Sequence, residues 1–132
     1  MKTPRLEMHY ESESDFDSIY NFIAQTYPQE HLPEQNALRE EHVFYLLLRK
    51  GMFGGLFGRW VARQKNNNAI IGLGILLPHL CTPEESGILH NSASTQRTFE
   101  AEIGWLVAQP YRKQGFGLEI GKFLCQYSFE KI

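Results

Sequence analysis

Residues 98–117, TFEAEIGWLVAQPYRKQGFG, restrict the fold more than any other stretch of the chain. The alternation from Thr98 to Val107 predicts a β-strand. Phe99, Ala101, Ile103, Trp105 and Val107 take one face, and Glu100, Glu102, Gly104 and Leu106 the other. Gln109-Pro110-Tyr111 breaks the strand. From Gly115 on, Phe116, Ile120, Phe123, Leu124 and Tyr127 recur at helical spacing, which predicts an amphipathic helix. Strand, turn and helix in direct succession point to helices packed on a sheet. Trp105 is expected in the core.

The remaining segments extend that pattern. Arg5–Tyr10 reads as a short strand. Ser14 is the expected N-cap of a helix carrying Phe16, Ile19, Tyr20, Phe22 and Ile23. Pro28 and Pro33 mark a loop. A second helix is expected over Glu34–Lys50, with Leu38, Val43, Tyr45, Leu46 and Leu47 as its apolar residues and Gly51 at its end. GMFGGLFG, 51–58, is a glycine-rich connector whose Met52, Phe53, Leu56 and Phe57 are expected to pack on the core. Strands are expected over Gly58–Lys65 and Ala69–Leu77, joined by the Asn66–Asn68 turn, and 78–97 reads as a loop. The order strand, helix, helix, three strands, helix predicts a single α/β domain over 1–132, an α+β sandwich with a mixed sheet.

Composition excludes several functions. A formal net charge of -2 leaves no basic footprint for nucleic acid. The longest apolar run, Ala69–Leu77, is too short for a membrane span, and the first residues contain no apolar signal segment, so a cytoplasmic protein is expected. His9, His31, His42, His79 and His90 are scattered without ligand spacing, so no metal is expected. Cys81 and Cys125 read as reduced thiols, and a nucleophilic Cys81–His79 pair lacks an evident orienting acid.

The turn RKQGFG, Arg112–Gly117, carries the chemistry. A helix N-terminus presents unsatisfied N–H groups and about half a positive charge, so it attracts anions. Gly115 and Gly117 remove side chains that would block a phosphate, while Arg112 and Lys113 add charge. The combination suits a diphosphate. A Rossmann fingerprint fits worse, because its acidic residue about twenty positions downstream has no counterpart. Glu100 and Glu102 share a strand face. Like charges so close, together with burial, would raise one carboxyl pKa toward that of a general base.

The segment Glu102–Glu130, EIGWLVAQPYRKQGFGLEIGKFLCQYSFE, resembles the coenzyme A-binding core of the GNAT superfamily of N-acetyltransferases. The family signature of Gln or Arg, two residues, Gly, one residue, then Gly or Ala is met by Arg112, Gly115 and Gly117. The Ile103-Gly104-Trp105 strand, the Pro110-Tyr111-Arg112 turn and Glu119 resemble the branch that acetylates ribosomal proteins and peptide N-termini.

The resemblance implies a mixed, mostly antiparallel sheet flanked by helices and lacking the family's usual C-terminal part. It implies acetyl-CoA as co-substrate and transfer to a primary amine, on a protein N-terminus or a small molecule. The backbone of Leu106 and Val107 would pair with the pantetheine arm. Arg112, Lys113, Gln114, Gly115, Phe116 and Gly117 would hold the diphosphate. Glu102, with Glu100 beside it, would take the amine proton. A strand 98–107 with a free edge could be covered by a second copy of the chain, by the chain's own 78–97 segment or by a separate C-terminal piece, and a second copy or a C-terminal partner is expected. The other outcome is an inactive remnant that binds CoA weakly or serves as an interaction module.

Overall fold

The computed structural model describes residues 1–51, 53–81 and 98–131. Its elements run β1 (Leu6–Tyr10), α1 (Phe16–Thr26), α2 (Gln35–Gly51), β2 (Gly58–Gln64), β3 (Ile70–Cys81), β4 (Thr98–Val107) and α3 (Phe116–Lys131). The strands form one sheet in the order β1-β2-β3-β4, and every pairing is antiparallel. The α/β sandwich is as the sequence predicts, while the sheet expected to be mixed is antiparallel throughout its described strands.

Two apolar layers sandwich the sheet. On one face, α3 buries Phe116, Ile120, Leu124 and Tyr127 against Leu6, Met8, Trp60 and Ala62. Side chains are missing from β3 where the helix comes closest. A Cβ on Gly74 would meet Leu124 Cδ1 at 3.0 Å and Ile120 Cγ2 at 3.2 Å. On the other face, Phe16, Ile19, Phe22 and Ile23 of α1 join Leu38 of α2 over Val61 and Leu73. The connector packs on the core as expected where it is described: Phe57 is fully buried and Leu56 partly so. Met52 lies outside the described residues.

Four sequence expectations need correction. The cap before α1 is built by Ser12 and Asp15: the Ser12 N–H and Oγ both donate to Asp15 Oδ2 at 2.8 Å. Ser14 instead sits within the 3-10 turn leading to α1. The buried stripe of α2 is Leu38, His42, Tyr45 and Leu48, while Val43 and Leu47 are exposed. β3 runs on through Pro78 to Cys81, so the loop expected from 78 is strand at its start. The rest, 82–97, lies outside the described residues. Trp105 is 51% exposed rather than in the core, because β4 is the last strand of the sheet.

The α2 stripe gives a simple test. Leu47→Lys should change unfolding free energy by no more than about 0.5 kcal/mol, as expected of an exposed position. Urea denaturation would show it.

A buried ionic network ties α2 to the sheet. Glu11 accepts hydrogen bonds from Arg59 Nε and Nη2, both at 2.6 Å, and its Oε1 also contacts His42 Nδ1. Arg59 Nη1 lies 3.5 Å from Glu41, and the guanidinium sits 4.6 Å from the Tyr45 ring centre. Each charged partner but Glu41 is nearly sealed from solvent.

Candidate acyl-carrier cleft at the β4–α3 turn

The turn between β4 and α3 owes its shape to two left-handed residues. Lys113 has φ 62° and Gly115 φ 84°. Glycine adopts that region without strain. The Gly115 carbonyl accepts the first helical hydrogen bond, from Glu119 N–H at 3.1 Å. Among the described residues, no backbone N–H from Lys113 to Leu118 makes a hydrogen bond of ordinary geometry. This is a run of free donors at the positive end of a 16-residue helix. Alternating backbone conformations of this kind form anion-binding concavities.

Side chains brace the turn from below. Arg112 Nε donates to the Val107 carbonyl at 3.0 Å, and Gln114 Nε2 to the Pro110 carbonyl at 3.1 Å. The Phe116 side chain is buried against Tyr111. Lys113 is exposed.

An open cleft of about 340 Å³ runs from the turn to β4. Its walls are Trp105, Leu106, Val107, Tyr111, Arg112, Lys113 and Gly117. Five of the residues expected to bind cofactor thus meet there. The indole of Trp105 forms the wall between strand and helix. It fits because α3 presents two glycines toward it: a Cβ on Gly117 would lie 3.0 Å from Trp105 Nε1, and one on Gly121 3.2 Å from Trp105 Cη2. The free N–H row, the added cations and the narrow trough suit a diphosphate carrying a long arm.

A second cleft, of about 550 Å³, opens on the α1–α2 side of β4. Tyr27, His31, Glu41, Tyr45 and Arg59 contribute to its walls, with Gly104, Trp105 and Leu106. The two clefts therefore meet at Trp105 and Leu106. Burial pushes the Tyr45 hydroxyl pKa up, Glu41 raises it further, and Glu11 and Glu102 add to this against the opposing charge of Arg59.

The two strand carboxylates are less closely gathered. Glu102 is exposed and pairs in register with Leu77; Glu100 is half-buried and pairs with His79. Neither is among the residues lining either cleft. The register thereby sets an acid beside His79, which the sequence alone did not. Arg97, an alternative partner for these carboxylates, lies outside the described residues. Among the described residues no group of three or more His, Cys, Asp or Glu side chains is placed to hold a metal ion. No described helix is long and apolar enough to cross a membrane.

Arg5 and Thr3 are contributors the sequence did not single out. Glu119, in the first turn of α3, accepts from the Arg5 backbone N–H and Nε at 2.8 Å each, and from Thr3 Oγ1. Burial raises the Glu119 pKa, but the hydrogen bonds from Thr3 and Arg5 and the guanidinium charge outweigh it and hold the carboxyl below its ordinary range. A depressed folded pKa means that the link stabilises above the unfolded value and fades as pH falls through the folded one. The stability difference between wild type and Glu119→Gln should therefore be full near neutrality. It should shrink below about pH 4, as thermal unfolding across a pH series would report.

The family model "Acetyltransferase (GNAT) domain" matches residues 5–132. No curated protein shows significant similarity to the sequence. Solved structures do share the fold. A Bordetella pertussis protein assigned to the GnaT acetyltransferase family superposes with a TM-score of 0.71 at 13% identity, over 100% of this chain and 73% of its own. An Agrobacterium tumefaciens acetyltransferase gives 0.68 at 19% identity, over 98% of this chain and 66% of its own. Arabidopsis thaliana NAA60, solved with a bisubstrate analogue, gives 0.55 at 18% identity, over 93% and 67%. The chain thus spans about two thirds to three quarters of the length of these structures.

Proposed function

The chain belongs to the GNAT acetyltransferase family, and from that premise we propose that it moves an acetyl group from acetyl-CoA to a primary amine by direct attack. The observation that carries this reading is the cleft whose walls bring Leu106 and Val107 of β4 together with Arg112, Lys113 and Gly117 of the turn. Acetyl-CoA supplies the activated thioester. The turn donors, with Lys113, take the diphosphate, and Leu106 and Val107 guide the arm along β4 toward Trp105. The second cleft receives the amine, since its walls reach Trp105 and Leu106 from the opposite side.

In this scheme most of the acceleration comes from holding amine and thioester together. Glu102, with Glu100 beside it on the same strand face, accepts the proton that the amine gives up, directly or through a water. The new C–N bond forms as the C–S bond breaks, and the thiolate leaves as the CoA thiol once protonated.

A second reading, a CoA-binding module without turnover, is favoured by one observation: Glu102 is exposed and outside the lining of both clefts. Release of free CoA thiol from acetyl-CoA, followed across a panel of peptide and small-molecule amines, separates the two. Amine-dependent release that falls in Glu102→Gln supports the enzyme. Acetyl-CoA binding with no release from any amine supports the module.

The proposal extends to the outer edge of β4, which among the described strands pairs only with β3. A second copy of the chain, or a separate C-terminal segment, would add a strand there. Light scattering on the purified chain tests the copy. A dimer fits, and a clean monomer at micromolar concentration refutes the second copy.

A further inference from the structure

Glu119 presents a problem for an anion site. It lies in the first turn of α3, four residues after Gly115. A helical side chain leans toward the N-terminus and covers the preceding turn. Unrestrained, its carboxylate would be drawn to the positive helix end and would lie over the free donors of that turn. There it would satisfy those N–H groups and repel a phosphate.

The structure holds the carboxylate elsewhere. Every hydrogen bond that Glu119 accepts comes from the segment leading into β1: Thr3 Oγ1, Arg5 N–H and Arg5 Nε. Arg5 does more than neutralise it. Its Nη1 donates to the Gln114 carbonyl at 2.9 Å, and its guanidinium lies 4.1 Å from the Phe116 ring centre. Its Nη2 is 3.3 Å from where a Cβ on Gly115 would be. One side chain thus contacts the turn at residues 114, 116 and 119 and closely approaches residue 115. Arg5 is 46% exposed at its side chain, so the core does not depend on it.

We propose that Arg5 is a positioning residue for the diphosphate cradle: it fixes the Gln114–Phe116 turn and holds Glu119 away from the N–H row. The inference rests on the reading of that turn as the acyl-CoA site. Its signature is a reversal. With Arg5 removed, Glu119 becomes an internal competitor of the phosphate, so removing Glu119 as well restores binding. A purely structural pair would lose more, or the same, on the second substitution.

The test is isothermal titration with CoA on the full chain. It compares wild type, Arg5→Ala and Arg5→Ala/Glu119→Gln, with a melting curve for each to confirm folding. Arg5→Ala should weaken CoA binding about tenfold, the effect of a carboxylate at a helix end. The double variant should recover most of that loss. Arg5→Gln takes the place of Arg5→Ala if the latter does not fold. A double variant no better than the single one overturns the proposal, as does a single variant that binds like wild type. Failure of the wild type itself to bind CoA overturns the acyl-CoA reading, and this inference with it.

Discussion

Glu11→Ala should destabilise the protein by about 3–5 kcal/mol, the usual cost of removing one partner of a buried ion pair. Glu11 holds two nitrogens of Arg59 at 2.6 Å, and both side chains are all but excluded from water. Without it the guanidinium keeps only Glu41 at 3.5 Å and the face of Tyr45. His42 loses its carboxylate at the same time. The loss falls where α2, the end of β1 and β2 meet. Chemical denaturation measures it. Glu11→Leu/Arg59→Met should recover much of the stability, since neither charge is then stranded. A cost below about 1 kcal/mol for Glu11→Ala, the range of an exposed pair, would refute the buried network.

Gly72→Ala should have the second large effect, and for a different reason. A Cβ there would sit 2.5 Å from the Leu106 carbonyl oxygen and 3.0 Å from Ile120 Cδ1. The obstructing atom is backbone, so β4 itself must move. Overpacking of this kind costs about 1–3 kcal/mol. Because Gly72 pairs in register with Val107, the displaced strand is the wall of the 340 Å³ cleft. The variant should therefore lose acetyl-CoA binding as well as stability. Gly74→Ala is the control. Its added methyl meets Leu124 Cδ1 at 3.0 Å and Ile120 Cγ2 at 3.2 Å, side-chain atoms rather than backbone. Differential scanning calorimetry with and without acetyl-CoA would read both losses. Equal behaviour of the two variants would contradict the account.

The β4–turn–α3 unit was legible because each of its parts carries its own local signal: alternation in β4, proline at the break, glycines at the turn, and a helical repeat in α3. Of the predicted stripe, Phe116, Ile120, Leu124 and Tyr127 are buried and Phe123 is partly so. The stripe of α2 was not legible, since 43–47 is apolar almost throughout and the true inward face includes His42, a polar residue buried against Glu11. The segment from Pro78 on reads as loop because it is polar and lacks a clear period. Pro78 is tolerated in β3 because β2 pairs only as far as Leu76, so at Pro78 one side of the strand carries no ladder. Trp105 looked like core because alternation reports a face of the sheet and says nothing of position within it.

At the site, the local motif was readable and its long-range supports were not. Arg112, Lys113, Gly117, Leu106 and Val107 line one cleft, whereas Gln114, Gly115 and Phe116 do not. Arg5 lies 114 residues from Glu119 in sequence, and no periodicity or spacing links positions so distant. The second cleft had the same difficulty, since Tyr27, Tyr45 and Arg59 meet only once three elements have packed. Glu100 and Glu102 do share a face, but the edge position of β4 leaves Glu102 in solvent.

The proposed function has the 113–117 turn bind the diphosphate of acetyl-CoA. Its most direct test is thermal unfolding with and without acetyl-CoA, on wild type and on Gly115→Glu. A ligand at a hundred times its dissociation constant adds about 2.7 kcal/mol, a shift of several degrees for a chain of this length. That shift is expected for wild type and none for Gly115→Glu, which puts a side chain on a left-handed residue of the turn and a carboxylate beside Arg5. An equal shift in both proteins, or none in wild type, would contradict it.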